Sequence, residues 1–223
     1  MKVTSVEPQK KNPKRFNVYL DGVFGFGADE DLIVSFRLLK GKELSPIDLE
    51  KILFEAEVGK LMERMYGLLG RRMRSEKEIR DYLKNLSFTR KVKGKEEISE
   101  VTINSLVDKL KQKGLVNDVQ FAKAWVESRR KNKNKGKIAL KQELYQKGID
   151  REIIDEVMSD EVRGQSSELS EEQLAQQALE KKLKSWKNLP PLEFKKKAYE
   201  FLMRKGFEYS VVKEVVEKYL KKE

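Results

Sequence analysis

Cysteine and histidine are both absent from the 223-residue chain. Their absence excludes disulfides, thiol nucleophiles, thiolate or imidazole metal sites, and every mechanism that needs an imidazole base. No stretch approaches the roughly 18 apolar residues of a membrane-spanning helix, and the N-terminus lacks the apolar core of a signal peptide. We therefore expect a soluble, cytoplasmic protein that uses no metal, no cofactor and no membrane.

Acidic residues are outnumbered, with 37 Asp and Glu against 48 Lys and Arg, and the net charge is +11. A positive surface suits an anionic polymer or an acidic protein as partner. The carboxylates are scattered among lysines at helical spacing, as on solvated helix faces, and no pair stands out as catalytic. No Walker motif, nucleophile elbow or metal-ligand spacing occurs either. The sequence predicts a protein that is not an enzyme.

Proline is scarce, and none of the five prolines lies between residues 47 and 189. Because a proline inside a helix costs about 3 kcal/mol, this gap, together with apolar spacing near 3.6 residues, predicts helix after helix. Small polar residues mark the helix starts. The candidate N-caps are Ser45, Ser75, Asn117 or Asp118, Asp150 and Ser170. We expect helices near 46–57, 58–72, 75–86, 99–113, 118–132, 137–147, 151–159, 171–186, 191–205 and 209–221.

The N-terminal forty residues have a different pattern, because apolar and polar residues alternate from Phe16 to Leu20. Asp21-Gly22 follows, and this dipeptide between alternating runs is a strong hairpin signal, since a type I′ turn needs positive φ at both central positions. In that turn Leu20 faces Val23. The sequence predicts a β-rich segment over residues 1–44.

The helical part contains an internal repeat, in which residues 144–157 and 202–215 agree in type at eight positions. In each copy Leu and Lys close one helix, a glycine takes the left-handed position, and the next apolar residue packs back on the helix end. A degenerate copy follows Leu83, with Leu86-Ser87 in place of Lys-Gly and a charged insert over 89–97. We expect structural turns at Gly114, Gly148 and Gly206.

These patterns predict a mainly α fold of three tandem three-helix repeats that form an elongated, curved body, with a small N-terminal β-hairpin segment. The alternative is a compact helical bundle with accidental internal similarity. The expected organisation is a β-rich segment over 1–44, a connecting helix over 45–57, three-helix units over 58–116, 117–160 and 171–223, and a mobile linker over 161–170.

Cations concentrate in four places, of which two supply the candidate binding residues. The other two are Arg90, Lys91, Lys93 and Lys95, and Lys195, Lys196, Lys197, Arg204 and Lys205. The stretch 129–141 carries seven without an acid until Glu143, and Asn132, Asn134 and Gly136 predict a basic loop there. Flexible cations suit phosphate contacts, although a solvated loop in a lysine-rich protein is the alternative. A second cluster precedes Ser75, where arginines beside a helix N-terminus can hold an anion or pair with nearby glutamates. The candidate binding residues are Arg71, Arg72, Arg74, Arg129, Arg130, Lys131, Lys133, Lys135, Lys137 and Lys141.

Three stretches carry a family resemblance. They are Leu69-x-x-Arg72-x-Arg74-Ser75-x-x-Glu78-Ile79, then Asn117-Asp118-x-x-Phe121-Ala122-x-x-Trp125-x3-Arg129, then Ile138-x5-Leu144-x-x-Lys147-Gly148-Ile149. With these motifs, the chain resembles the RecX family of recombinase regulators from about residue 60 to 221. It departs from the family pattern at Asn85-Leu86-Ser87, where relatives usually have a Lys/Arg-Gly turn.

The resemblance implies a monomeric, non-enzymatic regulator of homologous recombination, DNA repair and the SOS response. Such a protein binds the RecA filament on single- or double-stranded DNA and inhibits its ATPase and strand-exchange activity, so the basic residues named above become candidates for DNA or filament binding. Two other functions stay open: a helical-repeat protein that coats nucleic acid without a recombinase partner, and a scaffold that joins acidic proteins. Weak binding to naked DNA with tight binding to recombinase-coated DNA would favour the regulator over both.

Overall fold

The structure, a computed structural model, describes residues 1–10, 12–162, 169–186 and 188–220. Most of the predicted linker over 161–170 lies outside the described residues. Three strands come first, β1 (Val3–Gln9), β2 (Asn12–Leu20) and β3 (Val23–Asp29). The helices are α1 (Glu30–Ser35), α2 (Pro46–Leu69), α3 (Glu76–Val92), α4 (Glu100–Gln112), α5 (Asp118–Lys133), α6 (Lys137–Gln146), α7 (Arg151–Val162), α8 (Glu171–Trp186), α9 (Pro191–Arg204) and α10 (Tyr209–Leu220).

The chain divides into two compact units. The first comprises Met1–Met73 and Ile79–Val116, and the second comprises Arg74–Glu78 and Asn117–Glu223. The sheet and α1, α2 and α4 therefore belong to the first unit, while α5 to α10 belong to the second. The first residues of α3 are counted with the second unit.

The sheet is antiparallel with the order β1-β2-β3. Leu20 pairs with Val23, and Asp21 and Gly22 have φ values of 49° and 84°, which confirms the predicted hairpin turn. The hairpin gains a third strand, β1, which the alternation pattern did not predict. Helix α1 was also not predicted; Asp29 caps it by accepting the backbone N–H of Leu32 at 2.9 Å.

Helix α2 corrects the prediction of two helices over 46–57 and 58–72, because it runs unbroken from Pro46 to Leu69. Its first half contributes Ile52 and Ala56 to the core beneath the sheet, and its second half contributes Leu61 and Met65 to the core shared with α3 and α4. One helix therefore serves two cores. Ser45 caps it in a reciprocal pair with Asp48.

Three helix groups each surround a buried cluster of their own, which confirms the prediction of three three-helix units. The first group is α2–α4, the second α5–α7 and the third α8–α10. Central buried residues are Leu61, Leu83 and Leu106 in the first group, Phe121, Leu144 and Ile154 in the second, and Leu179, Leu202 and Val212 in the third.

Helix α3 corrects a second prediction, because it continues beyond residue 86 to Val92. Ser87 lies inside the helix, where its buried hydroxyl accepts the backbone N–H of Ile98 at 2.9 Å. The turn glycine of this copy is instead Gly94, with φ 66°, after Lys93. The charged insert thus moves the Lys-Gly turn rather than removing it.

Candidate nucleic-acid interface

Residues 74–78 of the first family-like stretch and the two later stretches meet at a junction of helix ends in the second unit. Asn117 is the N-cap of α5, since its side chain accepts the N–H of Gln120 at 3.0 Å. Asp118 instead accepts the N–H of Glu76, at the start of α3, at 2.9 Å. Each of the two candidate caps therefore serves a different helix.

Ser75 ties the same junction to the end of α6. Its hydroxyl accepts the N–H of Glu78 at 3.2 Å and donates to the carbonyl of Lys147 at 2.7 Å. The ammonium group of Lys147 in turn pairs with Glu78 at 2.5 Å. These motif residues satisfy the backbone groups that helix ends leave unpaired, so their role is structural.

The basic run over 129–141 is not a loop, which corrects the prediction. Arg129 to Lys133 form the last turn of α5, Asn134 ends that helix in a left-handed conformation, and α6 begins at Lys137. Asn134 is buried at 2% exposure, although it is polar. The connection is a three-residue turn, and its positive φ at Asn134 is one that Asn tolerates better than most residues.

Glu143 on α6 neutralises part of this run. It accepts hydrogen bonds from Arg129 and Trp125 at 2.8 Å each and from Lys135 at 2.5 Å. The Arg129 guanidinium also lies 4.0 Å from the centre of the Trp125 ring. Burial alone would raise the pKa of Glu143, but these hydrogen bonds hold that pKa below its ordinary value. Arg129 and Lys135 are therefore committed to an internal network.

Two more predicted cations pair within the second unit. Arg130 is largely buried, forms an ion pair with Glu171 at the start of α8, and donates to the carbonyl of Lys135 at 3.2 Å. Lys141 pairs with Asp155 at 2.6 Å. These residues hold helices together, whereas Lys131 and Lys133 are exposed.

The turn at Gly136 packs against the turn at the end of α9. The N–H groups of Gly136 and Ile138 donate to the carbonyls of Lys205 and Gly206 at 3.0 Å each. A Cβ atom on Gly136 would overlap the backbone of Gly206, and one on Gly206 would overlap Ala139. Both glycines permit this close approach.

Five lysines from α8, from the ends of α5 and α9 and from the turn before α6 converge where these turns meet, and we call them the lysine cluster. Lys205 donates to the carbonyl of Lys133 at 2.5 Å, and Lys181 donates to the side chain of Asn134 at 2.7 Å. The ammonium groups of Lys182 and Lys205 lie 5.8 and 5.6 Å from the centre of the Phe201 ring. The members are Lys133, Lys135, Lys181, Lys182 and Lys205.

The lysine cluster is short of negative charge. Burial lowers the pKa of Lys205 below its ordinary value, and the charges of the four other members lower that pKa further. Within the described ranges, Lys135 is the only member that forms an ion pair, and its partner Glu143 also serves Arg129. A bound anion reduces the electrostatic repulsion among clustered cations that have no counter-charge. The cluster is a candidate phosphate-binding surface.

The predicted arginines before α3 lie apart from the lysine cluster in sequence. Arg71 and Arg72 are exposed and belong to the first unit, and Arg72 donates to the carbonyl of Met73 at 2.9 Å. Arg74 belongs to the second unit, and its buried Nε atom has no hydrogen-bond partner among the described residues.

Comparison with known proteins matches four consecutive parts of the chain to one family. The regulatory protein RecX N-terminal domain matches residues 1–45, and the first, second and third RecX three-helix domains match 62–92, 117–158 and 170–216. The regulatory protein RecX of Bacillus velezensis is 37% identical over 96% of this chain and 76% of its own length. The chain belongs to the RecX family.

Other RecX proteins agree with this assignment. The regulatory protein RecX of Bacillus subtilis is 37% identical over 94% of this chain and 74% of its own length. A crystal structure of regulatory protein RecX superposes with a TM-score of 0.74 at 28% identity, covering 96% of this chain and 98% of that one. RecX from Lactobacillus salivarius, at 22% identity, has the same fold with a TM-score of 0.58 over 72% of this chain and 95% of that one. The RecX match extends the sequence resemblance to the sheet at the N-terminus.

The lysine cluster contains residues that the sequence did not single out as binding residues. Lys181, Lys182 and Lys205 lie far from the basic run along the chain, and only tertiary packing brings them beside Lys133. The sequence does place Lys205 in a basic cluster over 195–205 and in the Lys-Gly turn of the repeat, but neither signal indicates which residues lie beside it in space. None of the helices within the described residues is long and apolar enough to span a bilayer.

Proposed function

We propose that this RecX-family chain is a monomeric, non-enzymatic regulator that binds the RecA filament on DNA and inhibits its ATPase and strand-exchange activity. The observation that carries the proposal is the alignment of RecX regulatory proteins along 94–96% of the chain. Since bacterial RecA filaments form on chromosomal DNA, the protein would act in the cytoplasm.

The lysine cluster supports a DNA contact in this function. Phosphates are the anions that a filament on DNA offers in a regular series, and lysines bind them as point charges. Of the ten basic residues predicted as binding residues, Lys131 and Lys133 are the exposed ones on the basic run, whereas Arg129, Arg130, Lys135 and Lys141 already have internal partners. We expect the exposed cations to contribute most to binding.

A pull-down that compares naked DNA, free RecA and the preformed filament tests the proposal. We expect tight binding to the filament and weak binding to either component alone. Equal binding to naked DNA and filament would instead favour a nucleic-acid-coating protein, and binding to free RecA without DNA would favour a scaffold for acidic proteins. Either result contradicts the proposal.

A charge variant tests the DNA contact. Replacing Lys133, Lys181 and Lys182 by Gln should weaken filament binding and make the salt dependence shallower by about 2–3 in log–log slope, at roughly 0.7–0.9 per lost phosphate contact. The matched control replaces Lys2, Lys40 and Lys51, which are exposed lysines of the first unit, by Gln. Equal effects of both triple variants would show that net charge alone matters.

A further inference from the structure

A patch on the third three-helix group presents aromatic and basic side chains together. Leu192, Lys195, Lys196 and Tyr199 follow one another on α9 at the i, i+3, i+4, i+7 spacing that places residues on one helix face. With Tyr209, Lys213 and Glu217 on α10 they line a shallow cavity of about 390 Å³. We call the six residues other than Glu217 the tyrosine patch.

The Tyr209 ring of the tyrosine patch is available to a partner. Leu192 is 84% and Tyr209 is 62% exposed, and the centres of the Tyr199 and Tyr209 rings lie 5.9 Å apart. Burial raises the pKa of Tyr199 above its ordinary value, with a further contribution from Tyr209 and Glu217. Tyr199 is partly buried and packs against the core around Leu202 and Val212, so its ring has a structural role. Leu192 and Tyr209 do not belong to that core and stay exposed.

The cations of the tyrosine patch lack counter-charges. Lys195, Lys196 and Lys213 are exposed, and none of them forms an ion pair within the described part of the chain. The nearby Lys197 pairs with Glu193 at 2.8 Å, and Lys218 pairs with Glu214 at 2.5 Å. Among the described residues, Glu217 is the one carboxylate that lines the cavity. The patch thus combines a surplus of positive charge with an exposed aromatic ring, that of Tyr209.

We propose that the tyrosine patch binds single-stranded nucleic acid, with a base stacked on Tyr209 and the adjacent phosphates held by Lys195, Lys196 and Lys213. Every base has a π-face that stacks on an aromatic ring, and lysines beside the ring track the backbone. A duplex hides its base faces in the stack, and an acidic peptide offers charge without a base to stack. An exposed tyrosine ring beside lysines that have no ion-pair partner therefore favours single-stranded nucleic acid over a duplex or an acidic peptide.

This proposal deepens the proposed function and rests on it for the biological setting. Its test needs DNA alone, so the two can fail separately. A variant that loses the base contact but still inhibits the filament would assign the inhibition to other residues. A chain that binds single strands without affecting RecA would contradict only the proposed function.

The experiment measures the affinity of the full chain for a labelled oligothymidylate and for an abasic oligomer of the same length. Tyr209→Ala should weaken binding to oligothymidylate by at least about 5-fold, which corresponds to one lost base–aromatic contact, and should leave binding to the abasic oligomer unchanged. Tyr209→Phe keeps the ring and should bind like the wild type. Because Tyr209 is exposed at the start of α10, both variants should fold.

A second variant tests the phosphate contacts. Replacing Lys195, Lys196 and Lys213 by Gln should make the salt dependence of binding shallower by about 2 in log–log slope, at roughly 0.7 per single-strand contact. The control replaces Lys197 and Lys218, which already have carboxylate partners, and should change the slope less for each lysine removed.

Three results would overturn the proposal. The first is wild-type affinity of Tyr209→Ala for oligothymidylate. The second is equal affinity of the wild type for the abasic oligomer and oligothymidylate, which would mean that no base is bound. The third is displacement of oligothymidylate by oligoglutamate at equal charge concentration, because the patch would then be an acidic-protein surface.

Discussion

Gly114 and Gly206 end helices in the same left-handed conformation, with φ values of 67° and 85°, but their surroundings differ. A Cβ atom on Gly114 would meet open space, whereas one on Gly206 would overlap Ala139. Gly114→Ala should therefore lower the free energy of unfolding by about 1–2 kcal/mol, the cost of left-handed strain. Gly206→Ala should lose at least about 1 kcal/mol more because of overpacking.

Denaturant unfolding of both glycine variants measures this difference. Gly67, which lies inside α2 with open space around it, provides a control in which alanine should not destabilise. Equal losses for Gly114→Ala and Gly206→Ala would show that the contact between the Gly136 and Gly206 turns is not tight.

Glu143 holds Arg129, Lys135 and Trp125 with one carboxylate, so Glu143→Gln should destabilise the second unit by about 1–3 kcal/mol. Because hydrogen bonds keep the folded pKa of Glu143 below its ordinary 4.5, its contribution is present above that value and is lost as the pH falls through the folded pKa. The stability difference between wild type and variant should shrink in acid.

Thermal unfolding across the acid range measures that loss. Glu127 on α5 is exposed, and Glu127→Gln serves as the matched control. A difference between wild type and Glu143→Gln that persists unchanged well below pH 4.5 would contradict the assigned charge network.

Single residues show why the sequence predicted caps better than contacts. Ser45 and Ser170 act as N-caps as expected, because capping depends on a neighbour three residues away. Glu143 was not predicted as the acceptor for the basic run, since Arg129 lies 14 residues away on α5 and Lys135 lies 8 residues away in the turn before α6. Only packing of α5 on α6 brings them together.

At the scale of elements, the four glycine turns share one hydrogen-bond pattern. The residue after Gly94, Gly114, Gly148 or Gly206 donates its N–H to the carbonyl five residues earlier, at 2.9 to 3.3 Å. The Leu-x-x-Lys-Gly pattern therefore indicates a helix end correctly. The placement of the degenerate turn at Leu86-Ser87 is wrong, because Ser87 lies inside α3 and the turn comes at Gly94.

Helix α2 serves two cores, and this predicts how the protein responds to loss of the β-rich segment. Deleting residues 1–44 should expose Ile52 and Ala56, so residues 46–56 should lose amide-exchange protection. Leu61 and Met65 pack with α3 and α4 and should keep theirs. Loss of protection throughout α2 to α4 would show instead that the sheet completes the first three-helix core.

The lysine cluster where α5, α8 and α9 meet predicts stabilisation by anions. Since the folded pKa of Lys205 lies below its ordinary 10.5, its charge disfavours folding, and stability should rise as the pH increases from that lowered pKa towards 10.5. A bound phosphate would offset the same repulsion at neutral pH. Tripolyphosphate at constant ionic strength should therefore raise the melting temperature of the wild type more than that of Lys205→Met, which keeps the apolar stem.

Lys51, an exposed lysine of the first unit, provides the control variant Lys51→Met. Equal stabilisation of wild type, Lys205→Met and Lys51→Met would mean that tripolyphosphate acts through net charge and not at the cluster.

At the scale of the whole molecule, the internal repeat predicted three three-helix groups before any contact was known, since each group repeats the same apolar spacing and glycine turn. The lysine cluster and the tyrosine patch could not be predicted in this way, because their members meet only when separate helices pack. The spacing of Lys195 and Tyr199 indicates that they share one helix face, whereas nothing in the sequence indicates the contact between Lys133 and Lys205, which are 72 residues apart.

The proposed regulation of a filament is a property of the whole chain, since a body that contacts successive subunits gains from effective concentration by about 10²- to 10⁴-fold. ATP hydrolysis by the cognate RecA filament, measured against increasing amounts of this protein, tests it most directly. We expect inhibition at amounts well below one molecule per RecA subunit, without nucleotide hydrolysis by the protein itself. Inhibition only at amounts that cover all the DNA, or equal inhibition of an unrelated single-strand-dependent ATPase, would contradict the account.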